Sequence, residues 1–331
     1  MTAYLAAERQ VAIKAVEQAS KLCQEVFSQL VTASTLTKKD KSPVTIADFG
    51  AQAVVNAILE EHFPEDPIVG EEDSSDLQGD NGKEMRNKVV NLVNSASDRQ
   101  MSATEVLRAI DRGQYKGGAT GRHWTLDPID GTKGFLRGEQ YAVCLALIVD
   151  GHVQLGVLGC PNLAHSSGTG VLLTAVQGQG AFQRLLSGGP ETPIHASVVK
   201  ETSQAVFCES VESAHTSHSD SGRIGAMLGI TKPALRMDSQ CKYAAVARGD
   251  ADVYLRLPTR ADYEEKIWDH AAGNVIVREA GGRVGDVNGR PLDFSQGRTL
   301  SQNKGVVATS AGIFDQVVEA VQKVLGDKAG N

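Results

Sequence analysis

Trp124-Thr-Leu-Asp127-Pro-Ile-Asp130-Gly-Thr132-Lys133 carries an apolar, strand-like run into a Pro/Gly turn and leaves two aspartates three residues apart at its end. Pro128 stiffens that turn, and Gly131 lets the backbone approach a ligand. Thr132 then opens the next segment with N–H groups that no preceding turn has used. Paired carboxylates at a strand end suit a hard cation held through oxygen. Free N–H groups after a glycine turn suit a phosphate. The plainer reading of the same residues is an Asx-rich turn followed by a helix cap.

Outward from this stretch the chain alternates between helical and extended patterns. Ala12, Ala15, Val16, Ala19, Leu22 and Val26 repeat at helical spacing, and a second helix is expected from about Ile46 to His62, stopped by Pro64. Residues 73–122 are polar and glycine-rich and read as an excursion from the core, a lid or mobile loop. Within it Ser102-Ala-Thr-Glu105 forms a capping box for a short helix that Gly113 ends. His123–Leu126, Ala142–Val149, Val153–Leu158 and Val171–Val176 are strand-like, and Ser187-Gly-Gly-Pro-Glu-Thr-Pro193 is the strongest linker candidate. Beyond it, strands at Ala205–Cys208, Val253–Leu257 and Val306–Thr309 interleave with helices near Arg223 and Tyr243, from Ile267, and from Phe314 to Leu325. The alternation predicts an α/β sandwich.

Composition narrows the function. A chain of 331 residues at roughly 150 per domain implies two domains, or one with two lobes. Lys plus Arg total 33 against 40 for Asp plus Glu, a net charge of −7, which disfavours a nucleic-acid partner. An anionic ligand would therefore need a local reversal of the field, such as a bound metal. The longest apolar run, Ala142 to Val149, is too short to cross a membrane, and charged residues from Glu8 to Glu25 interrupt any signal-peptide core. The five cysteines show no C-x-x-C spacing and read as reduced thiols. A cytoplasmic, soluble protein without a membrane partner is expected.

Three further acidic positions are ambiguous one by one. Ile68-Val-Gly-Glu71-Glu72-Asp73, taken alone, reads more readily as a solvated acidic loop. Asp48, in Thr45-Ile-Ala-Asp48, fits a helix-capping pattern, and Asp269, in Trp268-Asp269-His-Ala-Ala-Gly273, could merely complement a helix dipole. Taken in order, however, the Glu-Glu pair, D-P-I-D-G-T and W-D-x-x-A-G followed by Glu279-Ala280-Gly281-Gly282 resemble the lithium-sensitive, magnesium-dependent phosphatase superfamily of inositol monophosphatase, from about residue 8 to residue 325. Within it the chain resembles the 3′(2′),5′-bisphosphate nucleotidases, through Lys133, Cys208-Glu-Ser-Val-Glu-Ser-Ala-His215, Asp238-Ser239-Gln-Cys-Lys242-Tyr243, Val253-Tyr-Leu-Arg256 and Glu265-Lys-Ile-Trp-Asp-His270.

The resemblance implies a layered α-β-α-β-α sandwich in two lobes. An N-terminal lobe, 1–197, would hold most metal ligands, and a C-terminal lobe, 198–331, the nucleotide-binding residues and Asp269. It implies two or three Mg²⁺ on Glu71, Asp127, Asp130, Asp269 and the carbonyl of Ile129. Thr132 would take a proton from the attacking water, oriented by Asp48, and attack would be direct and in line, with no phosphoenzyme. Gly131 and Thr132 would bind the transferring phosphoryl group through their N–H groups, and Asp269 would border the substrate. Ser239, Lys242 and Arg256 would take a second phosphate on the 5′ side, and His215, with His218 its close competitor, would sit near the nucleotide. The implied reaction is hydrolysis of the 3′-phosphate of adenosine 3′,5′-bisphosphate, with the 5′-phosphosulfate analogue also accepted and Li⁺ inhibitory. A monomer acting on a small molecule is expected. The alternatives are an inositol phosphate phosphatase and a non-catalytic phosphonucleotide or metal sensor.

Overall fold

The computed structural model describes residues 4–32, 42–212, 218–258, 260 and 262–329. The chain opens with two long helices, α1 (Ala6–Thr32) and α2 (Ser42–His62), and continues through β1 (Ile68–Gly70), α3 (Lys83–Ala96), α4 (Ala103–Asp111), β2 (Arg122–Asp130) and the short α5 (Thr132–Arg137). Five strands follow: β3 (Ala142–Val149), β4 (His152–His165), β5 (Gly168–Val176), β6 (Ala181–Leu185) and β7 (Thr192–Ile194). The rest comprises β8 (Phe207–Glu209), α6 (His218–Met227), β9 (Leu235–Arg236), α7 (Cys241–Ala247), β10 (Val253–Arg256), α8 (Ala271–Glu279), β11 (Gly282–Gly285), β12 (Val306–Ser310) and α9 (Phe314–Ala329).

The first seven strands form one sheet in sequence order, and the remaining five form a second with order β11-β12-β10-β8-β9. Helices α1 and α2 cover the outer face of the first sheet, α7 and α8 lie between the sheets, and α9 with α6 covers the second. This is the expected α-β-α-β-α sandwich. The apolar run over β3 shows why the layers stack so: a strand buried on both faces needs no polar alternation. Val143, Leu145 and Leu147 join the core beneath α1 and α2, while Ala142, Cys144, Ala146 and Ile148 join the core beneath α7 and α8. On the neighbouring strand, a Cβ on Gly156 would lie 2.6 Å from Val275 and 2.8 Å from the Ala272 carbonyl, so glycine there sets how closely α8 sits.

Residues 73–122 are not an excursion. Leu77, Val89, Val93, Val106 and Ile110 are buried in the core shared by α1 and α2, because α3 and α4 each turn a narrow apolar stripe inward. The two buried positions of α3, Val89 and Val93, were too sparse among polar neighbours to stand out as a helical period. The capping box holds: Ser102 N–H donates to Glu105 at 2.8 Å, and Ser102 Oγ accepts from Glu105 N–H at 3.3 Å. The linker is likewise shorter than expected, since Thr192–Ile194 pairs with β6 as the edge strand of its sheet, where proline is tolerated. The helix expected from Ile267 starts at Ala271, and Ile267 to His270 form the turn that leads into it. The second helix begins earlier than expected, at Ser42.

Candidate active site

Parallel pairing of β1 with β2 sets Gly70 opposite Leu126, which brings Glu71 and Asp127, the next residue of each chain segment, side by side. A regular strand would then send Asp127 and Asp130 to opposite faces of the sheet. Between them, however, β2 advances three residues while β3 advances two, from Asp127↔Cys144 to Asp130↔Ala142. This bulge, where Pro128 has no N–H for the ladder, resets the pleat and lets both carboxylates serve one cleft. Gly131 follows in the left-handed region at φ +89°, and a Cβ there would come within 2.9 Å of Ser239. Beyond it Thr132 begins α5.

The cleft encloses about 200 Å³ and is lined on one wall by Glu71, Asp127, Ile129, Asp130, Gly131 and Thr132. Asp238, Ser239, Lys242, Arg256 and Asp269 complete the opposite wall. Asp48, on α2, lies buried behind it, seven residues into the helix rather than at its cap. Burial pushes the Asp48 and Asp127 carboxyls well above their ordinary range, and the charges of Glu71 and its neighbours push them further. Glu71 is raised to about 8 by its enclosure and by Asp269 and Glu72, although water reaches it through the mouth of the cleft and screens part of the repulsion. Asp130 is raised to about 6 by burial and Asp269, with Lys242, Arg256 and the Gln240 N–H holding it down.

The opposite wall is built from the loop before α7 and from β10. Ser239 takes a left-handed φ of +66° that a side chain rarely adopts, and its hydroxyl accepts the Cys241 N–H at 3.1 Å. Lys242 is buried, donates to the Ser239 carbonyl at 2.8 Å, and sits 5.3 Å from the centre of the Tyr254 ring. Burial lowers its pKa, with Asp130 opposing. Arg256 remains firmly charged: burial works against it, but Glu265 at 2.7 Å and Asp269 at 3.3 Å prevail.

Asp48, Glu71, Asp127, Ile129, Asp130, Gly131, Thr132, Ser239, Lys242, Arg256 and Asp269 are thus gathered in or directly behind one cleft. His215 lies outside the described residues, as does the side chain of His218. Asp269 precedes α8 by two residues, so it faces the cleft from a turn.

Three contributors escaped the sequence reading. Gln240 donates its backbone N–H to Asp130 at 2.5 Å, while its side chain donates to the Trp268 carbonyl at 2.7 Å and accepts from Gly273 N–H at 2.8 Å. It therefore ties the two acidic segments together. It stands within the Asp238–Tyr243 motif, but its role could not be read there, because both side-chain partners lie about thirty residues away. Glu212 and Asp238, present in the motifs without an assigned role, form the second group, paired with Arg137, while Lys133 meets Glu212 at 3.0 Å. Arg298 is the third: it donates to the Gly70 carbonyl at 2.6 Å and lies 4.8 Å from the Trp268 ring, bracing the Glu71 and Asp269 segments alike. Gln240→Ala leaves two buried backbone groups unpaired and is expected to cost about 2–4 kcal/mol in urea unfolding.

A divalent cation fits the donor set on the acidic wall. Asp48 Oδ1 and Asp127 Oδ1 are buried with no hydrogen-bond partner, a costly state for carboxylate oxygens that hard cations relieve. Glu265, Asp269 and His270 also bring ligand atoms within 4.8 Å of one another. There Arg256 contacts Glu265 at 2.7 Å and one oxygen of Asp269 at 3.3 Å, and the two His270 ring nitrogens face Glu265 and Tyr243. That cluster is an ion-pair network.

The inositol monophosphatase family matches residues 5–325. Similar chains include a 3′(2′),5′-bisphosphate nucleotidase of Schizosaccharomyces pombe, 49% identical with 96% of each chain covered. One from Emericella nidulans is 47% identical, covering 96% of this chain and 98% of its own, and one from Oryza sativa is 43% identical, covering 98% and 96%. Among solved structures, inositol monophosphatase from Anabaena (Nostoc) superposes with a TM-score of 0.64 at 21% identity, covering 96% of each chain. Mycobacterium tuberculosis SuhB superposes with a TM-score of 0.63 at 22% identity, covering 97% of this chain and 98% of its own. With a match that runs from the first helix into the last, the chain belongs to the inositol monophosphatase family.

Proposed function

We propose that this protein is a Mg²⁺-dependent phosphatase that converts adenosine 3′,5′-bisphosphate to AMP and phosphate, and that it also accepts the 5′-phosphosulfate analogue. One observation carries the reading: a single cleft sets a wall of carboxylates against two cations, Lys242 and Arg256. The acidic wall suits metal ions and the phosphoryl group being transferred, and the cationic wall suits a second phosphate on the same small molecule. Relatives named for this reaction support the choice of substrate.

Two or three Mg²⁺ held by Glu71, Asp127, Asp130, Asp269 and the Ile129 carbonyl would neutralise the acidic wall and activate water for in-line attack. Within the protein, Thr132 would accept the proton of that water, with Asp48 orienting its hydroxyl. The helix bearing Thr132 packs against the helix bearing Asp48, which supports the pairing. The N–H groups of Gly131 and Thr132 would stabilise charge on the equatorial oxygens. Ser239, Lys242 and Arg256 would hold the 5′-phosphate, and His215 would approach the nucleotide. In this reading the lobes divide at residues 197 and 198, between β7 and β8.

The test is phosphate release from the bisphosphate nucleotide, its sulfated analogue, inositol 1-phosphate and inositol 1,4-bisphosphate, with and without Mg²⁺. The nucleotide is expected to give the highest kcat/KM, and chelation to abolish turnover. Faster turnover of either inositol phosphate would replace this reading with that of an inositol phosphate phosphatase. Binding of the nucleotide with no Mg²⁺-dependent release would make the protein a sensor.

A further inference from the structure

Arg256 is held by more than its position on β10. Its Nε meets Glu265 at 2.7 Å, and its Nη2 is shared between Asp269 and the Tyr263 hydroxyl, both at 3.3 Å. Its Nη1 has no partner among the described residues, and the side chain lines the cleft. Glu265, 6% exposed at its side chain, is in turn held by His270 Nε2 at 3.1 Å, and His270 Nδ1 meets the Tyr243 hydroxyl at 2.9 Å. Tyr243 cannot drift, because a Cβ on Gly273 would fall 2.3 Å from its ring. The result is a chain, Tyr243–His270–Glu265–Arg256, that runs from α7 to the lining of the cleft.

A guanidinium is a planar fork, so fixing Nε and one terminal nitrogen also fixes the direction of the other. We propose that Glu265 is a positioning residue that aims Arg256 at the second phosphate of a doubly phosphorylated substrate and so selects it over singly phosphorylated ones. This rests on the nucleotidase reading above. Without Glu265, the remaining ion-pair partner of Arg256 is Asp269 at 3.3 Å, and the fork would turn toward that carboxylate, away from the 5′ side of the substrate. The carboxylate at position 265 then serves specificity through geometry, since it touches Arg256 and His270 rather than the reacting phosphate.

The test is Glu265→Gln, which keeps shape and loses charge, assayed with adenosine 3′,5′-bisphosphate and, at high enzyme concentration, with adenosine 3′-monophosphate. KM for the bisphosphate is expected to rise about tenfold or more, with kcat changed less than about threefold and the monophosphate constants within about twofold. In an Arg256→Lys background the same substitution is expected to add less than about twofold, because its target is gone. Should Glu265→Gln fail to fold, Glu265→Asp makes the same comparison with the charge kept and the reach shortened. Equal losses on both substrates, an unchanged KM, or full additivity with Arg256→Lys would overturn the assignment alone. Failure of the wild type to hydrolyse the bisphosphate would overturn the nucleotidase reading and this one with it.

Discussion

Asp127→Asn is expected to reduce kcat/KM at least about a thousandfold while making the metal-free protein harder to unfold. The two effects share a cause. Asp127 is 2% exposed, one of its oxygens has no donor, and Glu71, Asp130 and Asp269 all oppose its ionisation. An amide of the same shape removes the charge that the fold resists, worth about 1–3 kcal/mol in urea unfolding with chelator present. It also removes an anionic ligand at the centre of the proposed Mg²⁺ set. Activity within tenfold of wild type would remove Asp127 from that set. A less stable metal-free variant would mean that the carboxylate is satisfied in a way the buried geometry does not show.

The stability of the metal-free protein is expected to fall as pH rises from 5 to 8, by roughly 2–4 kcal/mol, and Mg²⁺ is expected to restore it increasingly across that range. The sign follows from the raised carboxyls. A group whose folded pKa lies above its unfolded value binds more protons folded than unfolded, so its neutral form stabilises the fold at low pH. That contribution fades as pH climbs through the folded values, about 6 for Asp130, about 7 for Glu72 and about 8 for Glu71. Water at the mouth of the cleft screens Glu71, so the total is less than three full shifts would suggest. Divalent cations bind the deprotonated form, so the Tm gain on adding Mg²⁺ should grow with pH. A gain independent of pH, or a metal-free Tm that rises from pH 5 to 8, would show that these acids are not held against one another.

Much of the acidic wall was legible in the chain because its chemistry is written in short runs. Asp127, Asp130, Gly131 and Thr132 share one turn, and Pro128 marks the place where β2 leaves its pleat. Asp48 and Asp269 were ambiguous by local rules; the place of Asp48 well inside α2 removes the cap reading, and the approach of both to Glu71 draws them into the site. Of the helices within 73–122, the capping box gave α4, while α3 stayed hidden because it buries only Val89 and Val93. Edge strands such as β7 and β9 run to two or three residues, below the length at which alternation is a signal. The roles of Gln240 and Arg298 could not be read at all, since they depend on contacts that cross the fold.

The helices sandwiched between the sheets also limit how the molecule can move. Residues of α7 and α8 belong to one continuous apolar core with strands from both sheets, from Val69 through Ile276 to Ala308. Swinging one sheet away from the other would shear that core, and close-packed interiors do not slide cheaply. Substrate exchange therefore does not proceed by parting the two sheets like a clam shell. Charges carried on the two sheets, such as Asp127 and Arg256, are thereby held at a set spacing across the cleft.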